Sequence, residues 1–165
     1  MSFTGKLGWI RLRPLMFASC LMFASWLFMV MPVEAGFVLT GTVETVPAGY
    51  RVVVAQTPVR LWGIRTPSMS DHCPGEAGRP WSCEQRARML LDALAAGQAV
   101  VCRARGVQVA GAVPAQCTLD GVDLGGMMVT AGLALDDPGI SGGYYAFEQA
   151  AARTRRVGIW RAGAD

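Results

Sequence analysis

Three short stretches rich in β-branched and apolar residues open the body of the chain: Phe37 to Val46, Arg51 to Ala55, and Val59 to Ile64. Pro47-Ala48-Gly49 and Gln56-Thr57-Pro58 separate them, so the pattern predicts strand, turn, strand, turn, strand. In the third stretch Arg60 and Trp62 alternate with Val59 and Leu61, the period of a half-buried strand. A loop from Arg65 to Ser82 follows. The period then becomes helical from Glu84 to Ala96, with Ala87, Leu90, Leu91 and Leu94 on one stripe before Gly97. Ala99 to Arg105 and Val113 to Leu119 read as two further strands, the second turned at Asp120-Gly121. A second helix is expected over Asp123 to Ala131, capped by Asp123 and ended by Gly132. A third is expected over Tyr144 to Val157, ended by Gly158, with Ile159-Trp160 folding back onto the body.

Three strands, a helix, two strands and two helices describe a small α+β domain. A five-stranded Greek-key barrel with helices on one side uses those elements economically. The segment before residue 36 follows a different rule. Lys6, Arg11 and Arg13 precede an apolar run from Leu15 to Met31, and Pro32-Val33-Glu34-Ala35 ends with small residues at the −3 and −1 positions. That is the plan of a secretory signal peptide cleaved after Ala35, leaving residues 36–165 as the domain in the periplasm or outside the cell. An uncleaved membrane anchor is the competing reading of the same run. Cys20 has Phe17 three places before it, a poor fit to a lipoprotein site.

Composition narrows the function classes. With 52% apolar and 16% charged residues among 165, the chain is not intrinsically disordered. From residue 36 onward it holds twelve Arg, no Lys and eleven acids, a balance of +1. A strong nucleic-acid binder carries a clearer excess, so bulk charge favours no partner. Four cysteines follow the leader: Cys73, Cys83, Cys102 and Cys117. Four allow three connectivities, among which sequence alone does not choose. Pairing 73–83 and 102–117 would close two local loops, the second contributing ~3 kcal/mol. Zinc is disfavoured because no Cys-x-x-Cys pair exists and His72 is the single histidine.

The segment Val59-Arg60-Leu61-Trp62-Gly63-Ile64-Arg65-Thr66-Pro67-Ser68 resembles the Arg-Leu-x-Gly-Ile-Asp-x-Pro-Glu motif of the staphylococcal-nuclease-like, or thermonuclease, family. Cys117 to Leu124 resembles that family's fifth strand entering its second helix, and Met128 to Ala134 the end of that helix. Tyr144, Glu148, Ala151-Ala152-Arg153 and Gly158-Ile159-Trp160 are similar to its last helix and terminal Gly-x-Trp. The ordered series covers nearly all of residues 37–161, and the cysteines with Arg60-Leu61-Trp62-Gly63 resemble secreted bacterial members carrying two disulfides. The resemblance implies an OB-type barrel with three helices. It also implies a Ca²⁺-dependent phosphodiesterase built from carboxylate ligands, a carboxylate base and two arginines.

The residues at those positions do not supply that chemistry. By the resemblance, the metal-binding Asp after the first strand is Tyr50, the second metal-binding Asp is Arg65, and the general-base Glu is Ser68. Thr66 keeps the backbone-ligand position. The second catalytic Arg falls near Ala110-Gly111-Ala112, with Ala112 as its equivalent. Arg60 alone survives of the charged set. A guanidinium in place of a carboxylate repels a divalent ion, so the Ca²⁺ site is expected to be lost and no metal or cofactor to be held.

The expectation is therefore a pseudo-nuclease: an exported module in which Arg51, Arg60 and Arg65 converge to hold an anion without cutting it. Single-stranded nucleic acid, another anionic polymer or an envelope protein would be its partner. The alternatives are an active phosphodiester hydrolase using displaced carboxylates, and a structural or assembly protein. Other candidates read more simply as structure. His72 beside Asp71 and Cys73 is a loop residue, Asp136-Asp137 before Pro138 a turn cluster, and Trp62 and Trp81 packing residues. Arg153, Arg155, Arg156 and Arg161 complement a helix C-terminus.

Overall fold

The computed structural model describes residues 36–67, 72–73 and 81–161, with backbone alone for His72, Cys73 and Trp81. The leader 1–35, with its signal-peptide reading, and Ser68 lie outside the described residues. Elements follow in the order β1 (Val38–Ala48), β2 (Arg51–Val54), β3 (Thr57–Leu61), β4 (Ile64–Arg65), β5 (His72–Cys73), β6 (Trp81–Ser82) and α1 (Cys83–Ala95). Then come β7 (Ala99–Ala104), β8 (Val113–Leu119), β9 (Val122–Asp123), α2 (Leu124–Thr130), β10 (Leu135–Asp136), α3 (Pro138–Ser141), α4 (Ala146–Thr154) and a 3-10 turn (Gly158–Trp160).

The five longer strands close on themselves. β1 pairs antiparallel with β2 and β7, β2 with β3, and β7 with β8; a parallel pairing of β3 with β8 completes the ring. The result is an α+β closed five-stranded barrel with a few helices, consistent with an OB-type barrel. Alternation decides what faces in. Val52, Val54, Val59, Leu61 and Val100 are buried while Arg51, Arg60 and Val53 between them are half-exposed. Leu91 and Ala87 of α1, with Leu124, Met128 and Val129 of α2, complete the main core.

Two local corrections to the sequence reading bear on the site. The third strand stops at Leu61 rather than Ile64, because Trp62-Gly63 forms a turn with Gly63 at φ +73°. A Cβ there would also meet Ser141 Cβ at 3.0 Å and Tyr145 Cε2 at 3.1 Å. The expected helix over 144–157 is shorter, and a separate one-turn helix, α3, precedes it with Pro138 at its start. Proline favours that position because its missing N–H is unpaired there anyway. Asp136 is buried and accepts a 2.6 Å hydrogen bond from the Ser141 hydroxyl, which itself accepts one from the Gly143 N–H. Asp136 thus clasps the α3 turn through its side chain, and the Asp137 carbonyl holds it by accepting backbone hydrogen bonds from Ile140 and Ser141.

Cys102 and Cys117 oppose each other across β7 and β8 and form a disulfide inside the barrel. Cys83 is also disulfide-bonded, and the Cys73 side chain lies outside those described. Near the C-terminus, Arg153 stacks on Trp160 at 4.3 Å, and Arg155 donates to the carbonyls of Ala151 and Thr130. Those two arginines hold the last helix in place. Among the described residues no helix is long and apolar enough to cross a membrane.

Replacing both Cys102 and Cys117 by alanine is expected to lower the free energy of unfolding by about 3 kcal/mol, measured by urea titration. A change below 1 kcal/mol would show that the cross-link adds little to the sheet pairing already present.

Candidate anion cleft and the adjoining groove

The residues that the sequence singles out come from three elements. Tyr50 sits in the β1–β2 turn, where its carbonyl accepts from the Leu61 N–H at 2.9 Å. Arg60 projects outward from β3 because its neighbours Val59 and Leu61 are buried in the barrel. Arg65 follows the Gly63 turn on β4, which pairs with β10. Tyr50, Arg60, Arg65 and Thr66 line one cleft of about 490 Å³. Glu84 and Arg88 of α1 form the facing wall.

Helix α1 reaches this cleft because residue 49 is glycine. A Cβ there would lie 2.5 Å from Ala87 Cβ and 3.0 Å from helix backbone, contacts that no side chain tolerates. The close approach lets the Gly49 N–H donate to Glu84 Oε1 at 3.2 Å. Helix spacing then sets Arg88 one turn beyond Glu84 on the same face. In the sequence both residues fall within the expected helix Glu84 to Ala96 and nothing else marks them. Their spacing was visible, but the face they turn to the cleft depends on the glycine contact.

Arg51 and Arg60 are direct cross-strand partners, a placement that costs free energy for like charges. Tyr50 moderates it: the Arg51 and Arg60 Cζ atoms lie 5.3 and 5.5 Å from its ring centroid. The negative face of the ring attracts each guanidinium by about 0.5–1 kcal/mol. Arg51 Nε is buried without a partner among the described residues, and Arg51 is not on the cleft wall. The side chains of Arg60, Arg65 and Arg88 make no ion pair or hydrogen bond among the described residues. Among the described residues, three guanidinium groups therefore share a cleft with one carboxylate.

A second cavity of about 290 Å³ adjoins the cleft, with Arg60 on both walls. Trp62, Arg105, Val107, Val109 and Ile140 line it, and Ala112 lies here rather than beside Arg65. Its floor is tied to a polar network. Arg105 donates to Gln116 Oε1 while its guanidinium lies 5.3 Å over Trp62. Gln116 Nε2 donates to Asp123 and to the Tyr144 oxygen, and the Tyr145 hydroxyl donates to Asp123 Oδ2 at 3.0 Å. The other Asp123 oxygen caps α2 through the Gly125 and Gly126 N–H groups. Trp62 meets Tyr144 edge-on at 5.8 Å, and Tyr144 meets Tyr145 at 4.9 Å.

Burial, and after it the charge of Asp123 and the hydrogen bond to it, holds the Tyr145 phenol protonated far above its ordinary 10.0. Ionisation thus favours the unfolded chain, where the phenol titrates normally. Stability from this group is intact below about pH 10 and falls as pH rises above it. In the wild type, the 295 nm tyrosinate signal of Tyr145 is expected to appear only with alkaline unfolding. In Tyr145→Phe that part of the base lability is expected to disappear, along with about 1.5–3 kcal/mol of stability at neutral pH. A phenol that titrates near pH 10 in the folded protein would contradict the burial. Comparison with protein-family models and with curated proteins gives no match to this chain.

Proposed function

We propose that this chain is an exported, catalytically degenerate staphylococcal-nuclease-like domain, a Greek-key OB barrel that binds an anion without hydrolysing it. The observation that carries the reading is the cleft, where among the described residues Arg60, Arg65 and Arg88 face a single carboxylate, Glu84. Guanidinium groups with no hydrogen-bonded or ion-paired partner among the described residues suit phosphate, sulfate or carboxylate oxygens, which they hold through charge-assisted hydrogen bonds. A single-stranded nucleic acid, another anionic polymer or an acidic envelope partner presents such oxygens. The buried disulfide Cys102–Cys117 supports export, since such bonds persist in oxidising compartments.

The donor set does not suit calcium. Ca²⁺ takes about six to eight oxygen ligands, several of them carboxylates. Among the described residues the cleft offers one carboxylate beside three cations, with Tyr50 and Arg65 at the positions where the family resemblance places the metal-binding aspartates. The chemistry left to these residues is to bind and orient an anion. Among the described residues, Glu84 is the displaced carboxylate that gives the hydrolase alternative a foothold.

Two measurements on the purified protein separate the readings. Heat-denatured DNA is expected to remain uncut with Ca²⁺ or chelator, and Ca²⁺ to leave Tm unchanged. Labelled single-stranded oligonucleotide at low salt is expected to bind, with Arg60→Ala weakening it about tenfold or more. Calcium-dependent cutting lost in Arg60→Ala would establish the hydrolase reading, with Glu84→Gln as the next variant. No binding of oligonucleotide or inorganic phosphate in the millimolar range would remove the anion site. A copurifying protein without either activity would then favour the assembly role.

A further inference from the structure

The groove beside the cleft differs from it in chemistry. Its polar side-chain groups are the guanidiniums of Arg60 and Arg105 and the Trp62 indole, which donate hydrogen bonds and accept none. Arg105 is already engaged with Gln116 and Trp62, so Arg60 is the cation whose guanidinium is open to an anionic group, while the Trp62 indole adds one neutral donor. The rest of the wall is hydrocarbon. Val107, Val109 and Ile140 on the rim are 81%, 59% and 48% exposed. Large apolar side chains gathered around one concavity mark a binding surface rather than the ordinary scatter of exposed residues. A nucleobase carries acceptors and donors on one edge, and seating it against a wall without side-chain acceptors leaves its donors unpaired. A hydrocarbon chain has no such cost.

We propose that the groove receives the alkyl chain of a single-chain anionic amphiphile, an alkyl phosphate or fatty carboxylate, whose head group sits on Arg60 at the mouth of the cleft. The inference rests on the anion-binding reading above and names the ligand class for that same site. Charge complementarity fixes the orientation. The guanidiniums of Arg60, Arg65 and Arg88 draw the head to the cleft, and the valines, Ile140 and the Trp62 ring take the chain. The volume of about 290 Å³ is at the small end of known small-molecule sites, about 300–1,000 Å³, which fits one short chain and not two.

Calorimetric titration with inorganic phosphate, ethyl, butyl, hexyl and octyl phosphate, each below its micelle-forming concentration, tests this. Affinity is expected to rise about fourfold per added methylene until the groove is filled. Octyl phosphate is expected to bind at least tenfold more tightly than thymidine monophosphate of the same charge. Ile140→Asn, an exposed position, is expected to flatten the chain-length dependence, and Arg60→Ala to weaken every member of the series. Phosphate binding with no dependence on chain length, or tighter binding of the nucleotide, would overturn the amphiphile and leave the anion cleft standing. If the whole series fails to bind, phosphate included, the underlying anion reading falls with it.

Discussion

The parallel seam between β3 and β8 holds the rest of this structure in place. Val59, Arg60 and Leu61 lie opposite Val113, Pro114 and Ala115, and the ladder runs on as Trp62 N–H donates to the Ala115 carbonyl. Pro114 has no N–H to offer, and its carbonyl accepts from Arg105. The seam buries Val59 and Leu61 and thereby turns Arg60 outward. It sets Arg60 on the boundary of cleft and groove. The same strand carries Cys117 inward to its disulfide and Gln116 outward to the network around Asp123. Opening the seam would therefore separate the two cavities from each other as well as expose the core.

Electrostatics explains why the cleft can gather cations. A carboxylate at position 50 would pair with Arg51 and Arg60 and cancel their field. Tyr50 instead gives both guanidiniums an aromatic face, a weaker attraction that leaves their charge uncompensated. Arg65 and Arg88 add to a field that Glu84 only partly offsets. A site of this kind favours an anionic ligand and disfavours a divalent cation. The groove, built from hydrocarbon and the Trp62 ring, adds a second requirement that charge alone does not meet.

Most of the secondary structure was legible in the chain. Strand alternation around Arg60, the helical stripe through Ala87 and Leu91, and the Asp123 cap are short-range properties, set by which neighbours an individual residue must avoid or satisfy. The Trp62-Gly63 break was misread because one more apolar residue, Ile64, continues the strand pattern past it. The positive φ of Gly63 overrides that pattern. The one-turn helix at Pro138 was hidden for a similar reason, since an Asp-Asp-Pro-Gly run suits both a turn and a helix start.

What the sequence determined by itself was the inventory: an α+β set of strands and helices, cysteines spaced for local loops, and arginines at 51, 60 and 65 in and around the second and third strands. Tertiary structure decided the company those residues keep. It brought Glu84 and Arg88 across from α1, because the backbone at Gly49 can touch Ala87. It moved Ala112 to the groove and left Arg51 against Tyr50 instead of on the cleft wall. Such proximities arise where strands far apart in sequence close the barrel. Local pattern carries no information about them, because the period of a strand says which face a side chain takes and not what it will meet there.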